Sequence, residues 1–135
     1  MAKASGVGWT TFSVDDSTNT QQAIIDDLTD LKFTTPRAVQ DITGIDKTAI
    51  QRLLLLADLT VTMNGVFNAA ANQSHAVFST IPSTSVNRLI TSVVNGKTLA
   101  PTCCLTDYPL TRATSGALTW SVPGSLSSGT APTWS

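Results

Sequence analysis

Apolar and polar residues alternate most cleanly in the middle of the chain. From Ala57 the order runs Ala57, Asp58, Leu59, Thr60, Val61, Thr62, Met63, Asn64, with apolar side chains at odd positions and polar ones at even positions. Successive strand side chains leave opposite faces of a sheet, so this period of two predicts a strand with one face for a core and one for water or a polar lining. The pattern predicts one long strand over 52–67, closed by Asn64-Gly65 and Val66-Phe67.

Residues 9–14 read as a first strand, ended by the turn-forming Asp15, Asp16 and Ser17. Over 23–33 a short helix through Ile24, Leu28 and Leu31 competes with a strand over 31–35, and the strand is preferred. Residues 35–47 hold Pro36, a Thr43-Gly44 turn and several charges, a composition that predicts an excursion away from the sheet. Asn68 is placed to cap a helix over 69–80, with Ala70, Ser74, Val77 and Ile81 on one stripe and Pro82 as its stop. A β-branched run over 86–94 leads into Asn95-Gly96, a strong hairpin signal, and the return strand covers 98–110. Ser115-Gly116 then turns the chain into 117–122, where Leu118, Trp120 and Val122 alternate with Thr119 and Ser121. Several strands joined by hairpin turns, one short helix and no βαβ rhythm predict an all-β fold, an antiparallel β-sandwich or barrel. Residues 1–135 are expected to form a single domain with flexible arms at 1–8 and 123–135, where Gly, Pro, Ser and Thr concentrate.

Composition sharpens this picture. Charged residues are 13% of the chain, about half the globular average of ~25%. The 22 threonines and 14 serines take their place, and threonine suits pleated sheet while keeping a face wettable. So few charges suggest a surface partly covered by something other than solvent, the subunits of a polymer being one such case. With a net charge of −1 and isolated Lys and Arg, there is no basic stripe for neutralising phosphates. The longest apolar run, 53–57, is too short for a membrane helix, and the first residues contain no apolar segment of a secretory signal.

Candidate chemistry is sparse. His75 is the only histidine and has no companion ligand spacing, so it reads as a solvent-facing or capping residue. No Gly-x-Ser-x-Gly elbow supports a Ser-His-Asp site. Cys103 and Cys104 are adjacent, which on a strand sends their thiols to opposite faces; two reduced thiols are expected, one in the core. Asp15-Asp16 and Asp26-Asp27 read as turn and cap residues. Trp120 belongs to the apolar face of its strand, while Trp9 and Trp134 lie where the arms join or end and read as anchors for a neighbouring subunit. No catalytic, cofactor or metal site is predicted.

The segments 33–46 (Phe33 through Pro36, Arg37, Ile42 and Ile45 to Asp46), 52–58 and 64–68, with Pro82-Ser-Thr-Ser85, Thr106-Asp-Tyr108 and the strand 118–122, resemble the major tail tube proteins of tailed bacteriophages. The likeness extends from about Phe12 to Trp134. It implies a structural virion protein without enzymatic activity or cofactor, an antiparallel β-sandwich or barrel that stacks as homo-hexameric rings into a tail tube. DNA passes through such a tube as cargo, other tail proteins meet its ends, and a tape measure protein occupies the lumen during assembly. The protein would be found in the virion tail, and in the host cytoplasm before that. The resemblance further implies that 35–47 reaches a neighbouring subunit, placing inter-subunit contact on Phe33, Pro36, Arg37, Ile42, Ile45 and Lys47 beside Trp9 and Trp134. Strand parity makes Asp58, Thr60, Thr62 and Asn64 a polar face and a candidate lumen lining. The alternative is a monomeric β-sandwich module that binds glycan or receptor through Trp9 and Trp134.

Overall fold

The computed structural model describes residues 3–135; of the expected N-terminal arm, residues 1–2 lie outside the described range. Eleven strands and one short helix follow one another as β1 (Trp9–Asp15), β2 (Gln21–Ala23), β3 (Leu28–Thr34), β4 (Arg37–Asp41), β5 (Arg52–Ala57), β6 (Thr60–Val66), α1 (Ser74–Phe78), β7 (Arg88–Val94), β8 (Lys97–Leu99), β9 (Thr102–Leu105), β10 (Leu110–Arg112) and β11 (Leu118–Leu126). Nine of the strands form one antiparallel sheet in the order β2-β1-β7-β9-β11-β6-β3, with β8 on β7 and β10 on β11, so the all-β expectation holds. The sheet curls over a single core. β7 makes the corner: Arg88 and Leu89 pair with β9, while residues from Ile90 onward pair with β1.

The inward side chains of β1 (Phe12, Val14), β6 (Val61, Met63), β7 (Ile90) and β11 (Trp120, Val122) meet in one cluster, closed by Val77 and Phe78 of α1. Each such side chain contributes about 1.5–3 kcal/mol by leaving water. At the open end of the curl Trp9 of β1 stacks on Phe33 of β3, with centroids 6.4 Å apart and planes 13° from parallel. The parity reading of β6 is borne out: Leu59, Val61 and Met63 are buried, Thr60 and Thr62 exposed, and Asn64 half-buried.

Two expectations about this region change. The single strand over 52–67 is two strands in different sheets, broken at Asp58-Leu59, where the Asp58 carboxylate accepts from Leu59 N at 2.7 Å and Asp58 N donates to Pro36 O at 3.0 Å. Asn64-Gly65 is no turn but lies inside β6. Gly65 pairs with Trp120, and a Cβ there would collide with that indole and with the Asp27 carbonyl.

The helix is five residues long rather than twelve. Asn72 takes a left-handed φ of 61°, and the buried Asp27 carboxylate accepts from Ser74 N at 3.0 Å, which sets the helix start there. Asn68 still serves locally: its Oδ1 accepts from Ala70 N, and its Nδ2 donates to Asp27 at 2.9 Å. At the other end of α1, Arg88 is fully buried and donates to Val77 O at 2.5 Å, Thr80 Oγ1 at 2.9 Å and Asp15 O at 3.2 Å. Burial lowers the pKa of its guanidinium from the usual value. A cation is well placed at the C-terminal end of a helix, where unpaired carbonyls gather.

The Asn95-Gly96 turn has the two positive φ angles, 50° and 78°, that a two-residue hairpin between right-twisted strands requires. β11 runs on to Leu126, into the segment expected as an arm. Pro123 is accommodated because its side of β11 faces the gap between β9 and β10; its carbonyl accepts from Thr106 N, and the missing N–H leaves no ladder bond to β6 unmade.

Candidate assembly surfaces

No group of three or more His, Cys, Asp or Glu residues is arranged to hold a metal among the described residues. His75 is half-buried between Phe67 (4.8 Å) and Tyr108 (6.0 Å), with its Nδ1 3.3 Å from the Tyr108 hydroxyl, so it belongs to an aromatic cluster and not to the open surface. Cys103 is buried and Cys104 half-buried, and both are free. Burial pushes the Cys103 thiol up to about 11, which keeps it protonated and unreactive. Asp16 and Asp27 do the turn and cap work expected of the aspartate doublets, while Asp15 bonds across to β2 and β7. Asp16 accepts from Thr18 and Thr20 and is held down at about 2 chiefly by the Thr18 hydroxyl; Asp15 accepts from Gln21 and Leu89; Asp27 caps α1. The cavity of about 380 Å³ between β8, β9 and the C-terminal segment is lined by small residues such as Thr98, Thr102, Ser128 and Thr130, with no acid, base or thiol side chain among them.

Two surfaces stand out instead. The first is the antiparallel ribbon of β4 and β5, a separate two-stranded sheet with no ladder to the main one. All of β4 and all of β5 except Ala57 are exposed. The excursion expected over 35–47 therefore exists, but it has strand structure and continues to residue 57. Pro36, Arg37, Ile42, Ile45 and Lys47 all lie on it and are exposed. Arg37 is used within the ribbon: β5 carries one extra residue between Leu54 and Ala57, and the Arg37 Nη2 and Nε donate to Leu55 O at 2.7 and 3.2 Å. At the turn, Asp41 accepts from the Thr43 backbone and hydroxyl, and Gln51 N donates to Thr43 Oγ1, which braces the far end; the Thr43 hydroxyl lowers the Asp41 pKa. Among the described residues Lys47 pairs with its neighbour Asp46, at 3.3 Å.

The ribbon displays Val39, Ile42, Ile45, Ile50 and Leu53 through Leu56, with Leu56 86% exposed. The leucines were expected on a strand with a core face, and none of them reaches the core. The available signal was the run of four leucines itself, which breaks the alternation that starts at Ala57. Grooves of about 440 and 560 Å³ flank Leu56 at the ribbon's base, the first shared with Leu126 and residues 129–131, the second with Pro36 and Ala38.

The second surface is the outward face of β6 with its neighbours. Thr60, Thr62 and Asn64 lie beside Thr34, Lys32 and Asp30 of β3 and beside Ser125, Pro123 and Ser121 of β11. Thr34 and Thr60 share a hydroxyl hydrogen bond, and Asn64 donates to Asp30 at 3.2 Å. Asp58, expected in the same row, sits instead at the strand break and lines both grooves at the ribbon's base. Phe33 and Trp9 are half-buried against each other, and the Trp9 Nε1 donates to Ser92 Oγ at 2.8 Å. Trp134 is half exposed and bridges to Leu99 on β8, while Ser135 exchanges backbone hydrogen bonds with Thr98.

No family model and no curated protein matches the chain. Among solved structures, it has the fold of a chain in the tail of an empty gene transfer agent particle, determined by helical refinement with C6 symmetry. The TM-score is 0.74 at 12% identity over 98% of this chain and 99% of that one. It also has the fold of a chain in the virion of a native gene transfer agent particle, with a TM-score of 0.76 at 12% identity over the same shares.

Proposed function

We propose that this chain is a structural subunit of a phage-type tail, that it stacks as hexameric rings into a hollow tube, and that DNA passes through that tube without being bound. The observation that carries the reading is the β4–β5 ribbon, a large apolar surface that a lone subunit leaves in water. Val39, Ile42, Ile45, Ile50 and Leu53 through Leu56, exposed together on one element, mark it as an interaction surface. The shared fold with chains of gene transfer agent tail and virion particles, one of them with six-fold symmetry, supports placing that surface between copies. Contacts through Pro36, Ile42 and Ile45 belong to this reading. In it the subunit resides in the virion tail after assembly in the host cytoplasm, with other tail proteins at the tube's ends and a tape measure protein in its lumen.

The face of Thr60, Thr62 and Asn64 suits a channel lining. Its Thr, Ser and Asn side chains are wettable, and its Lys32 is offset by Asp30. Each phosphate neutralised by a cation would add a sequence-independent attraction that retards sliding. A glycan-binding role for Trp9 is disfavoured, because its ring is stacked on Phe33 and its N–H is already used.

Negative-stain microscopy and native mass spectrometry of the purified chain test the proposal. Rings of six and tubes are expected. A monodisperse monomer at every concentration in near-neutral buffer would sink it.

A further inference from the structure

We propose that Asn95 is a site of spontaneous covalent modification, where the side-chain amide is lost to leave an aspartyl or isoaspartyl residue, and that the fold shields Asn64 from the same chemistry. Of the six asparagines, these two are followed by glycine. The reaction needs only water. The Gly96 backbone nitrogen, its proton taken by hydroxide, attacks the Asn95 side-chain Cγ; a C–N bond closes a five-membered succinimide, and the side-chain nitrogen leaves as ammonia. Water then opens either ring carbonyl. One water is consumed and one ammonia released, with nothing oxidised or reduced. Glycine favours the closure, because no Cβ crowds the approach of its nitrogen.

The two sites have the same dipeptide and opposite surroundings. Asn95 and Gly96 form the exposed two-residue tip between β7 and β8, and nothing lies within 4 Å of where a Cβ on Gly96 would project. The tip is free to move. Among the described residues, the Gly96 N–H donates to no backbone acceptor, and the Asn95 carboxamide rests against Gly8 without a hydrogen bond. Asn64 is half-buried, and Gly65 is buried and paired with Leu28 of β3 on one side and Trp120 of β11 on the other. Both ends of Asn64 are held. Its Nδ2 donates to Asp30 at 3.2 Å, and its carbonyl accepts from the Thr29 hydroxyl at 3.2 Å. Ring closure there waits for β6 to leave its neighbours, and core strands open only at a cost approaching that of global unfolding. The product at position 95 adds a negative charge to a chain of net charge −1. In the iso form the backbone also gains a methylene, beside the 2.9 Å hydrogen bond from Asn95 N to Gly8 O that ties the 3-10 turn Gly6–Gly8 to the hairpin.

The test holds full-length chain in mildly alkaline buffer, folded in one sample and unfolded in urea in the other, until both sites of the unfolded sample have half reacted. Trypsin then separates the sites. Cleavage after Arg52, Arg88 and Lys97 places Asn64 in peptide 53–88 and Asn95 in peptide 89–97, where fragment masses report amide-to-acid conversion residue by residue. An isoaspartate-specific methyltransferase counts the iso product. In the folded chain Asn95 is expected to convert roughly a hundredfold faster than Asn64, because only the second needs a core strand to open; in urea the two rates should converge. Asn95→Gln, whose longer side chain would have to close a six-membered ring, should remove the isoaspartate signal from the folded sample. Asn95 remaining an amide in the folded chain would overturn the proposal, since the turn would then protect it. Equal folded-state rates at the two sites, or an isoaspartate signal that survives Asn95→Gln, would overturn it as well.

Discussion

Asp27 does more for this fold than its position in an acidic doublet suggests. It is 3% exposed, and its two carboxylate oxygens accept from Asn68 Nδ2 and Ser74 N, tying the 3-10 turn before β3 to the start of α1. Replacing it by alanine strands the buried Ser74 N–H and leaves the half-buried Asn68 amide without its partner. A buried donor without a partner costs about 1–3 kcal/mol, so Asp27→Ala is expected to destabilise the subunit by ~2–4 kcal/mol, read as a lower urea midpoint at unchanged slope. A loss below ~1 kcal/mol would mean that water replaces the carboxylate and that α1 starts where it does for another reason. Arg88 plays the matching part at the end of α1. Neither role is visible in a string of letters, because the partners are 41, 47 and 11 residues away.

At the scale of elements, the ribbon is nearly independent of the body. It shares no ladder with the main sheet, and its side chains take no part in the buried core cluster. Replacing residues 38–56 by a short Gly-Ser link should therefore leave the melting temperature within a few degrees of the wild type. Loop closure changes only slowly with loop length, so the link itself has little thermodynamic effect. The same deletion should abolish tubes in electron micrographs. Outright unfolding would show that the ribbon contributes to the core; normal tubes would place the contact elsewhere. β6 behaves in the opposite way, since its neighbours β3 and β11 both depend on it and it buries Val61 and Met63.

For the whole molecule, the exposed side chains that would join copies are aliphatic and the charges are few. Assembly should then follow hydrophobic rather than ionic rules. Excluded salts such as sulfate strengthen apolar burial, whereas ~1 M sodium chloride screens exposed charges to within ~3 Å. Tubes are expected to persist in 1 M sodium chloride and to form at lower protein concentration in ammonium sulfate. Light scattering follows both. Dissolution by sodium chloride alone would point to ion pairs such as those open to Arg37, Lys47 or Asp58 as the main contacts.

What the sequence determined alone is local and periodic. Alternation marked the inward residues of β6 and of β11 around Trp120, and Asn95-Gly96 set a hairpin by its φ requirements. Each of these depends on neighbours within a few positions. Tertiary structure decided the rest. It broke 52–67 at Asp58, because Leu59 joins the core while the preceding leucines turn away with β4. It shortened α1 through Asp27, moved Trp9 onto Phe33, and placed Gly65 beneath Trp120. These outcomes rest on contacts between residues far apart in the chain. The exposure of Leu53 through Leu56 is the extreme case: the run predicts burial, and no element of this chain supplies it.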